Sequence, residues 1–128
     1  DAKGRLFIPA KLREELGQTF HVTIGLDHCL SIYSNESWDA FMDKLRDLPY
    51  SKAKALRVLS ANAVDCEPDA QGRILIPANL RTFAELQKDV TVIGQLDHAE
   101  IWNSDKWRAY NDEIDAEVVA ADVEDIDF

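Results

Sequence analysis

The stretch DAKGRLFIPAKLR at residues 1–13 decides the fold, because it recurs as DAQGRILIPANLR at residues 69–81. The substitutions between the copies keep the apolar positions apolar, as in the exchange of Phe7 for Leu75. A glycine and a proline stand at the same offsets in both copies, which chance similarity does not produce. The chain is therefore a tandem repeat, and its fold must accommodate two equivalent units.

Each copy predicts the same local structure, a turn followed by a strand and a helix. Gly4 and Gly72 have no Cβ, so they suit the backbone of a tight turn. The apolar residues after the arginine have the length and composition of a short strand. Pro9 and Pro77 then restrict φ to a value suited to the first helical position, and good helix formers follow them.

The rest of the first half predicts a hairpin and a helix. Residues 20–25 and 29–33 have the composition of two strands, with a turn at residues 26–28. Ser34 or Asn35 is placed to cap the helix that follows. The apolar residues of that helix recur at spacings of three and four: Trp38, Phe41, Met42 and Leu45.

The segment between the repeats predicts a second helix and then a strand. Residues 49–59 are the connecting helix, which forms a helical hairpin with the helix before it. Residues 60–68 alternate in the manner of a strand and run into the second turn. An equivalent strand would precede Asp1, and the sequence given does not include it. We therefore expect the first turn to be the more easily displaced of the two.

The second half repeats the hairpin and the helix, with Ser104 predicted as the N-cap of a helix that runs toward Ile114. Two matches define the hairpin: residues 90–94 with 21–25, and residues 96–98 with 26–28. One copy alone would expose much of its apolar face, whereas two copies related by a pseudo-twofold axis can interleave their hairpins into one closed β-barrel. We predict an α+β fold of this kind, flanked by short helices and the helical hairpin.

The net charge of −10 is unevenly distributed along the 128 residues. The segment at residues 113–128 carries seven acidic residues and no lysine or arginine, so the rest of the chain is at −3. Residues 1–13 reverse the sign, with four basic side chains against Asp1 alone. Because a phosphate-binding face depends on local charge, the acidic total does not argue against nucleic acid as a partner.

Other features of the sequence point away from membranes and catalysis. It has no apolar run long enough to span a membrane and no visible signal peptide. Cys29 and Cys66 lack metal-ligand spacing, and we interpret them as buried, reduced thiols of a cytoplasmic protein. We expect no cofactor, metal or small-molecule ligand, and no nucleophile–base pair or phosphate loop indicates an enzyme.

The two Asp-x-x-Gly-Arg turns, each leading into Ile-Pro-Ala-x-Leu-Arg, closely resemble the bacterial MraZ family, and the resemblance runs from Asp1 to about Ile114. It implies the swapped-hairpin barrel of AbrB-like, or SpoVT/AbrB, proteins. We divide the chain accordingly into a first repeat, a connecting helix, a second repeat and an acidic tail, at residues 1–48, 49–59, 60–112 and 113–128.

The resemblance also implies a function. Proteins of this family are expected in the cytoplasm, associated with the nucleoid, as sequence-specific DNA-binding regulators of transcription. They are usually repressors of the division and cell-wall gene cluster. The family further implies a closed ring of copies, a homo-oligomer that engages repeated short boxes in double-stranded promoter DNA.

Carried onto this sequence, the family motif implies that Arg5 and Arg73 read bases. The planar fork of arginine can donate two hydrogen bonds to guanine, with a discrimination of about 1–3 kcal/mol. Asp1 and Asp69 would orient these arginines. A salt bridge that only closes a turn is the alternative for each Asp–Arg pair, and the two interpretations are compatible because an oriented arginine is preorganised for binding.

The other basic candidates belong to the same stretches. Lys3 would meet phosphate or a base edge, and its uncharged counterpart Gln71 should attract DNA less. Arg13 and Arg81 are either contacts to the DNA backbone or internal ion-pair partners. The turn glycines complete the set of DNA-binding candidates: Gly4 and Gly72.

Three further features have a simpler interpretation than function. The Asp-His pairs at residues 27–28 and 97–98 have no third ligand or nucleophile beside them, so we interpret them as hairpin-turn residues. The acidic tail at residues 113–128 is interpreted as a disordered, solubilising terminus. Helical spacing favours packing in the core or at a subunit interface over base stacking for the aromatic residues Trp38, Phe41, Trp107 and Tyr110.

One alternative class of function remains. The chain could be an AbrB-like antitoxin or protein-interaction module that acts through its acidic tail. The duplication favours the regulator, because antitoxins of this fold usually carry one copy of the motif. Deletion of residues 113–128 distinguishes the two classes.

Overall fold

The structure of the chain, a computed structural model, describes residue 1, residues 3–113 and residues 116–124, with the backbone alone at residues 116 and 117. The first repeat and the connecting segment contribute β1 (Arg5–Phe7), α1 (Ala10–Leu16), β2 (Phe20–Ile24), β3 (Leu30–Ser34), α2 (Asn35–Arg46) and α3 (Ala53–Ala61). The rest contributes β4 (Val64–Cys66), β5 (Arg73–Leu75), α4 (Ala78–Phe83), β6 (Val90–Gly94), β7 (Ala99–Asn103), α5 (Ser104–Asp112) and α6 (Ala116–Val123).

The strands form two antiparallel sheets, and each sheet contains strands from both repeats. β1 pairs with β5, with Leu6 opposite Ile74. The larger sheet has the order β4-β2-β3-β7-β6. Within it, the pairing of β3 with β7 joins the hairpin of one repeat to the hairpin of the other. The predicted α+β class and the interleaving of two repeats are therefore confirmed.

One hydrophobic core is built from both repeats. Ile8 and its counterpart Ile76 are 0% and 1% exposed, and Phe20, Ile74 and Leu80 are also buried. Burial of a side chain of this size stabilises the fold by about 1.5–3 kcal/mol relative to leaving it in water. Because each copy supplies part of the same core, neither copy can bury its apolar face alone.

The two prolines precede their helices. Pro9 has φ −55° and ψ 143°, and Pro77 has φ −59° and ψ 153°. These extended ψ values make each proline an N-cap, so the helices begin at Ala10 and Ala78. The predicted first helical position was therefore wrong by one residue.

The helix between the repeats is longer, and the strand after it shorter, than the sequence predicted for residues 60–68. α3 continues to Ala61, and β4 begins only at Val64. The Oγ of Ser60 donates a hydrogen bond to the carbonyl of Leu56 at 2.7 Å, so a residue predicted as strand belongs to the last helical turn. β4 then pairs with β2 as an edge strand of the larger sheet.

β6 is shifted by one residue from the match that the sequence indicated. Phe20 lies opposite Ser34 in the first hairpin, and Val90 lies opposite Asn103 in the second. Ser34 and Asn103 both cap the following helix, so Val90 corresponds to Phe20 and not to His21. Because successive strand residues face opposite sides of a sheet, this register places Val90 against the core.

The helix caps agree with the sequence in one repeat and differ in the other. Of the two predicted caps, Ser34 is the one observed: its side chain accepts a backbone N–H of α2 at 3.1 Å, and Asn35 is the first helical residue. In the second half the cap is Asn103, which accepts from the N–H of Lys106 at 3.1 Å. Ser104, the predicted cap, is the first helical residue, and its Oγ is 2.8 Å from the Oγ1 of Thr91.

The acidic tail is helical over part of its length. Residues 116–123 form α6, so the disorder predicted for the whole tail was wrong for this segment. Residues 114–115 and 125–128 lie outside the described residues. Among the helices that the structure describes, none is long and apolar enough to cross a membrane.

The aromatic residues of α2 and α5 pack against the larger sheet. The ring of Tyr33 on β3 stacks on Phe41 with centroids 5.0 Å apart. In the second half, the ring of Trp102 on β7 contacts Tyr110 at the same centroid distance of 5.0 Å. These contacts are those of packing residues, as the helical spacing predicted.

Both Asp-His pairs lie in the connections of the two hairpins. Asp27 and His28 adopt positive φ in a 3₁₀ turn, and His98 Nδ1 lies 2.8 Å from the Oδ1 of Asp97. Their place in the turns agrees with the interpretation from the sequence. In the described parts of the chain, no three ligating side chains come together in a way that could hold a metal ion.

Candidate nucleic-acid interface

The first of the two repeated turns is organised by the carboxylate of Asp1, which binds the backbone with one oxygen and a guanidinium with the other. Its Oδ1 accepts the backbone N–H of Lys3 at 2.9 Å and that of Arg5 at 3.2 Å. Its Oδ2 accepts from Nε of Arg5 at 3.0 Å and lies 2.9 Å from Nη2. The carboxylate therefore shapes the turn and holds the arginine in one orientation.

The second turn has the same construction. Oδ1 of Asp69 accepts the N–H groups of Gln71 and Arg73 at 2.9 and 3.0 Å, and Oδ2 accepts from Nε of Arg73 at 3.2 Å. The expectation of a displaced first turn is not supported, because residues 1 and 3–5 make the same contacts as their counterparts. Ala2 lies outside the described residues.

The glycine of each turn has a conformation that other residues rarely adopt. Gly4 has φ +83° and Gly72 has φ +79°. A Cβ built on Gly4 would lie 2.8 Å from Cζ of Arg81, and one on Gly72 would lie 2.8 Å from Cζ of Arg13. Backbone geometry and close packing both explain the glycine in the motif.

The pairing of β1 with β5 brings the two turns together on one face. Ile8 N–H donates to the carbonyl of Gly72 at 3.0 Å, and Ile76 N–H donates to that of Gly4 at 2.9 Å. As a result, Nη1 of Arg73 lies 3.7 Å from Oδ2 of the opposite turn's aspartate. The two arginines form one site, which the sequence could not show.

The two arginines keep donors for a ligand. Their side chains are 34% exposed at Arg5 and 29% exposed at Arg73. Within the described residues, Nη1 of Arg5 and Nη2 of Arg73 have no hydrogen-bond or ion-pair partner. Lys3 and Gln71 are exposed beside them. This face can therefore donate several hydrogen bonds to an anionic or acceptor-rich partner.

The face also carries apolar side chains that the sequence analysis did not select. In the β1–β5 register, Leu75 lies opposite Arg5 and Phe7 lies opposite Arg73. Phe7 is 54% exposed and Leu75 is 61% exposed, because alternate residues of a strand face outward. In the sequence, the only indication of this exposure was that Leu75 is next to an inward-facing position, Ile74, because strand residues alternate between the two faces. A strand of three residues shows such alternation only weakly.

The electrostatics of the second turn favour the charged carboxylate. The backbone N–H of Arg73 is the main cause of a lowered pKa at Asp69, and the N–H of Gln71 and the Arg73 charge add to it. Burial acts in the opposite direction and does not reverse the shift. The carboxylate thus stays ionised where it orients the arginine.

For Arg13 and Arg81 the structure bears on one of the two alternatives that the sequence left open, the internal ion pair. Among the described residues, no carboxylate lies within ion-pair distance of their guanidinium groups. Nε of Arg81 donates to the carbonyl of Ile76 at 3.0 Å, and Arg13 lies over the ring of Phe7 at 5.7 Å. The internal ion pairs are therefore not present in the described part of the chain.

A cavity of about 570 Å³ lies beside the first turn. Its lining includes Arg5, Arg81 and Lys88, a basic residue that the sequence analysis did not select. Lys88 stands just before β6 in an exposed loop, and nothing in the sequence marks it as a neighbour of the first turn. The described residues thus add a third cation to this side of the face.

Comparison with known proteins identifies relatives along the whole chain. The family model described as "MraZ protein, putative antitoxin-like" matches twice, at residues 1–61 and 59–128. A protein of Thermoanaerobacter sp. (strain X514) named "Transcriptional regulator MraZ" is 48% identical over 133 residues, which cover 100% of this chain and 93% of that protein.

Two further relatives carry the same name. The protein from Halothermothrix orenii is 46% identical over 131 residues, which cover 98% of this chain and 92% of the relative. The protein from Thermoanaerobacter pseudethanolicus is 51% identical over 118 residues, which cover 90% of this chain and 82% of the relative. The two-fold match of the family model agrees with the repeat read from the sequence.

Proposed function

The chain belongs to the MraZ family, and from this we propose that it is a transcriptional regulator that binds double-stranded DNA through the two Asp–Arg turns. The observation that carries the proposal is the joint face on which Arg5 and Arg73 lie, each held by its own aspartate. Its relatives are named as transcriptional regulators, and a surface that recognises DNA would serve that role directly.

Arg5 and Arg73 read bases in this proposal. Asp1 and Asp69 occupy Nε of each arginine, which leaves terminal Nη donors for the guanine edge. A fixed arginine loses little side-chain entropy on binding, so the aspartates act by preorganisation. A two-stranded ribbon also fits the width of the major groove, which suits the antiparallel β1–β5 pair.

The neighbouring side chains complete the contact. Lys3 adds a positive charge to the first turn, where Gln71 of the second turn adds none, so the first turn attracts phosphate more strongly. Phe7 and Leu75 offer apolar surface beside the arginines, and thymine methyl groups are the matching feature of the major groove. Gly4 and Gly72 supply the positive φ that shapes each turn and so presents its arginine to the DNA.

Two turns give a small contact, so the proposal includes repeated sites. A closed ring of copies would place many such turns along one rim, facing repeated short boxes of promoter DNA. Linked contacts of this kind raise overall affinity by about 10²–10⁴ without any new type of contact. The target is the promoter of the division and cell-wall gene cluster, the action is repression, and the protein is nucleoid-associated and not an enzyme.

The direct test of this proposal is to replace the two arginines that are proposed to read bases. Arg5→Ala and Arg73→Ala, singly and together, should weaken binding to the DNA upstream of the chain's own gene in a gel-shift assay. Loss of one bidentate base contact corresponds to about 1–3 kcal/mol, or about 5- to 150-fold in affinity. Thermal unfolding of each variant should match that of wild type, because both side chains lie at the surface.

The matched control for this experiment is Arg108→Ala. Arg108 is an exposed arginine of α5 that pairs with Asp105 and lies outside the turns. Its removal takes away the same charge and should leave the gel shift unchanged. Retardation of promoter DNA by the double variant at wild-type protein concentration would refute the proposed interface.

A second candidate function has one specific observation in its favour. The matching family model carries the description "antitoxin-like", and Val119 on α6 of the acidic tail is 47% exposed. A protein-interaction module would use this helix to bind and neutralise a partner. Deletion of residues 113–128 should then remove a co-purifying protein and leave DNA binding as it was, whereas the regulator predicts no such partner.

A further inference from the structure

Arg81 reaches from α4 to the turn of the other repeat. A Cβ on Gly4 would meet its Cζ and Nε at 2.8 Å, so the guanidinium lies directly against the glycine. The same Nε donates to the carbonyl of Ile76 at 3.0 Å, and the N–H of Ile76 donates to the carbonyl of Gly4 at 2.9 Å. Arg81 is therefore tied both to the first turn and to the backbone that carries that turn.

Arg13 makes the reciprocal contact. A Cβ on Gly72 would meet its Cζ at 2.8 Å and its Nη1 at 2.9 Å. The carbonyl of Gly72 accepts the N–H of Ile8 at 3.0 Å, so this contact too lies beside the strand that joins the repeats. Nε of Arg13 is buried with no hydrogen-bond partner in the described residues, and Cζ of the same guanidinium lies over the ring of Phe7, 5.7 Å from its centroid.

These contacts require the shape of arginine and the absence of a side chain on the glycine. A planar guanidinium can lie flat against a backbone that has no Cβ, whereas the tetrahedral ammonium of lysine cannot. Its charge is poorly placed for an ion pair, since no carboxylate of the described residues is within reach. The Gly–Arg spacing is the same in both copies, and its arginine makes the contact with the glycine of the other copy.

We infer that Arg13 and Arg81 are positioning residues, and that each holds the DNA-reading turn of the other repeat. Arg81 restricts the motion of the turn that contains Arg5, and Arg13 restricts the motion of the turn that contains Arg73. The contacts are independent of any ligand, and the inferred effect on DNA binding rests on the proposed function. The two reading turns are consequently coupled to the repeat that does not contain them.

The first test needs no DNA. In Arg81→Met, ¹⁵N relaxation should show lower backbone order parameters at Gly4 and Arg5 than in wild type. The order parameters of Gly72 and Arg73 should be unchanged. Arg13→Met should show the reverse pattern, and Arg108→Met should change neither turn. Unchanged order in both turns, or a loss in the turn of the same repeat, would overturn the inference.

Lysine variants are a milder change that should leave the protein folded. They also distinguish the effect of the planar shape of the arginine side chain from the effect of its charge. Arg81→Lys keeps the positive charge and loses the planar group, so it should loosen the first turn as the methionine variant does. The same variant should weaken promoter binding by about tenfold with an unchanged salt slope, since no phosphate contact is lost. Wild-type affinity in Arg81→Lys would assign a phosphate contact to Arg81 instead and overturn the positioning role.

Double-mutant cycles on promoter DNA test the crossed coupling. Arg81→Lys should cost little affinity once Arg5 is replaced by alanine, and should keep its full cost when Arg73 is replaced. For Arg13→Lys the two partners exchange roles. Additive effects with both readers, or coupling to the reader of the same repeat, would contradict the inference. If wild type fails to bind DNA at all, the proposed function is wrong. The relaxation experiment still tests whether Arg13 and Arg81 hold the turns of the opposite repeats.

Discussion

Asp1 and Asp69 each hold an arginine four residues further along the chain, and that spacing lets one carboxylate serve two purposes. Oδ1 accepts backbone N–H groups of the turn, and Oδ2 receives the guanidinium. An exposed ion pair contributes only about 0–1 kcal/mol to stability. The value of the pair at the residue scale is therefore orientation: it presents the remaining donors of the arginine in a constant direction.

The turn glycines give a prediction about stability. Gly72→Ala should lower the free energy of unfolding by about 1–2 kcal/mol, because φ +79° is unfavourable for a residue with a Cβ. Gly94→Ala is the control, since Gly94 has an ordinary φ and a Cβ there meets no atom within 4 Å. Urea unfolding of the two variants measures the difference. Equal stability of the two would show that the turn tolerates a side chain.

The ionisation of Asp69 gives a prediction about pH. Because its pKa in the folded protein is below the ordinary 3.8, the ionised carboxylate stabilises the fold above that value, and the contribution disappears as pH falls through the lowered pKa. Asp69→Asn should therefore unfold at lower temperature than wild type at pH 7. The two melting curves should converge at strongly acidic pH. A constant difference across the whole range would contradict this assignment.

At the scale of elements, the pair β1–β5 depends on the core beneath it. Two strands of three residues are too short to be stable in isolation. Ile74, 2% exposed, lies on the inner face of the pair, while Leu75 and the arginines Arg5 and Arg73 lie on the outer face. The strands are therefore stabilised from one side and free to contact a partner on the other.

This two-faced pair predicts opposite results for neighbouring substitutions. Ile74→Ala should destabilise the protein by about 2–5 kcal/mol, because it leaves a cavity in the shared core. Leu75→Ala should change the free energy of unfolding by less than about 0.5 kcal/mol, since its side chain is mostly in water. Chemical denaturation compares them. Similar losses at both positions would mean that Leu75 is covered, as at an interface between copies.

At the scale of the whole molecule, charge is separated along the chain. The net charge is −10, yet the joint face of the turns and the cavity beside it present Lys3, Arg5, Arg73 and Lys88. The acidic residues concentrate at 113–128, away from the turns in sequence. Because salt screens exposed charges beyond about 8–10 Å, the proposed DNA partner would respond to the charge of the local face more than to the net charge of the chain.

The charge distribution predicts a strong dependence of DNA binding on salt. The logarithm of the binding constant should fall linearly with the logarithm of salt concentration, with a slope of about −0.9 for each phosphate contacted. Lys3→Gln makes the first turn like the second and should reduce the slope by about one contact. Fluorescence anisotropy across a salt series measures both. A slope near zero in wild type would exclude an interface that contacts phosphate.

The local parts of the site could be predicted from the sequence alone. The repeat, the turn, the Asp–Arg pairing within it, the cap at Ser34 and the packing role of the aromatic residues follow from spacings of a few residues. Interactions at such spacings are largely set by backbone geometry and side-chain type. That is why the two Asp–Arg pairs could be located before the fold was known, whereas the base-reading role of the arginines is a prediction that the family resemblance implied.

Only the tertiary structure shows which of the two copies each side chain contacts. The two repeats carry the same residues, so the sequence cannot tell whether Arg81 packs on its own glycine or on Gly4. The pairing of β1 with β5, the register of β6 and the joining of both turns into one face are likewise contacts between residues far apart in the chain. They arise because burying one shared core is more favourable than leaving two apolar faces in water.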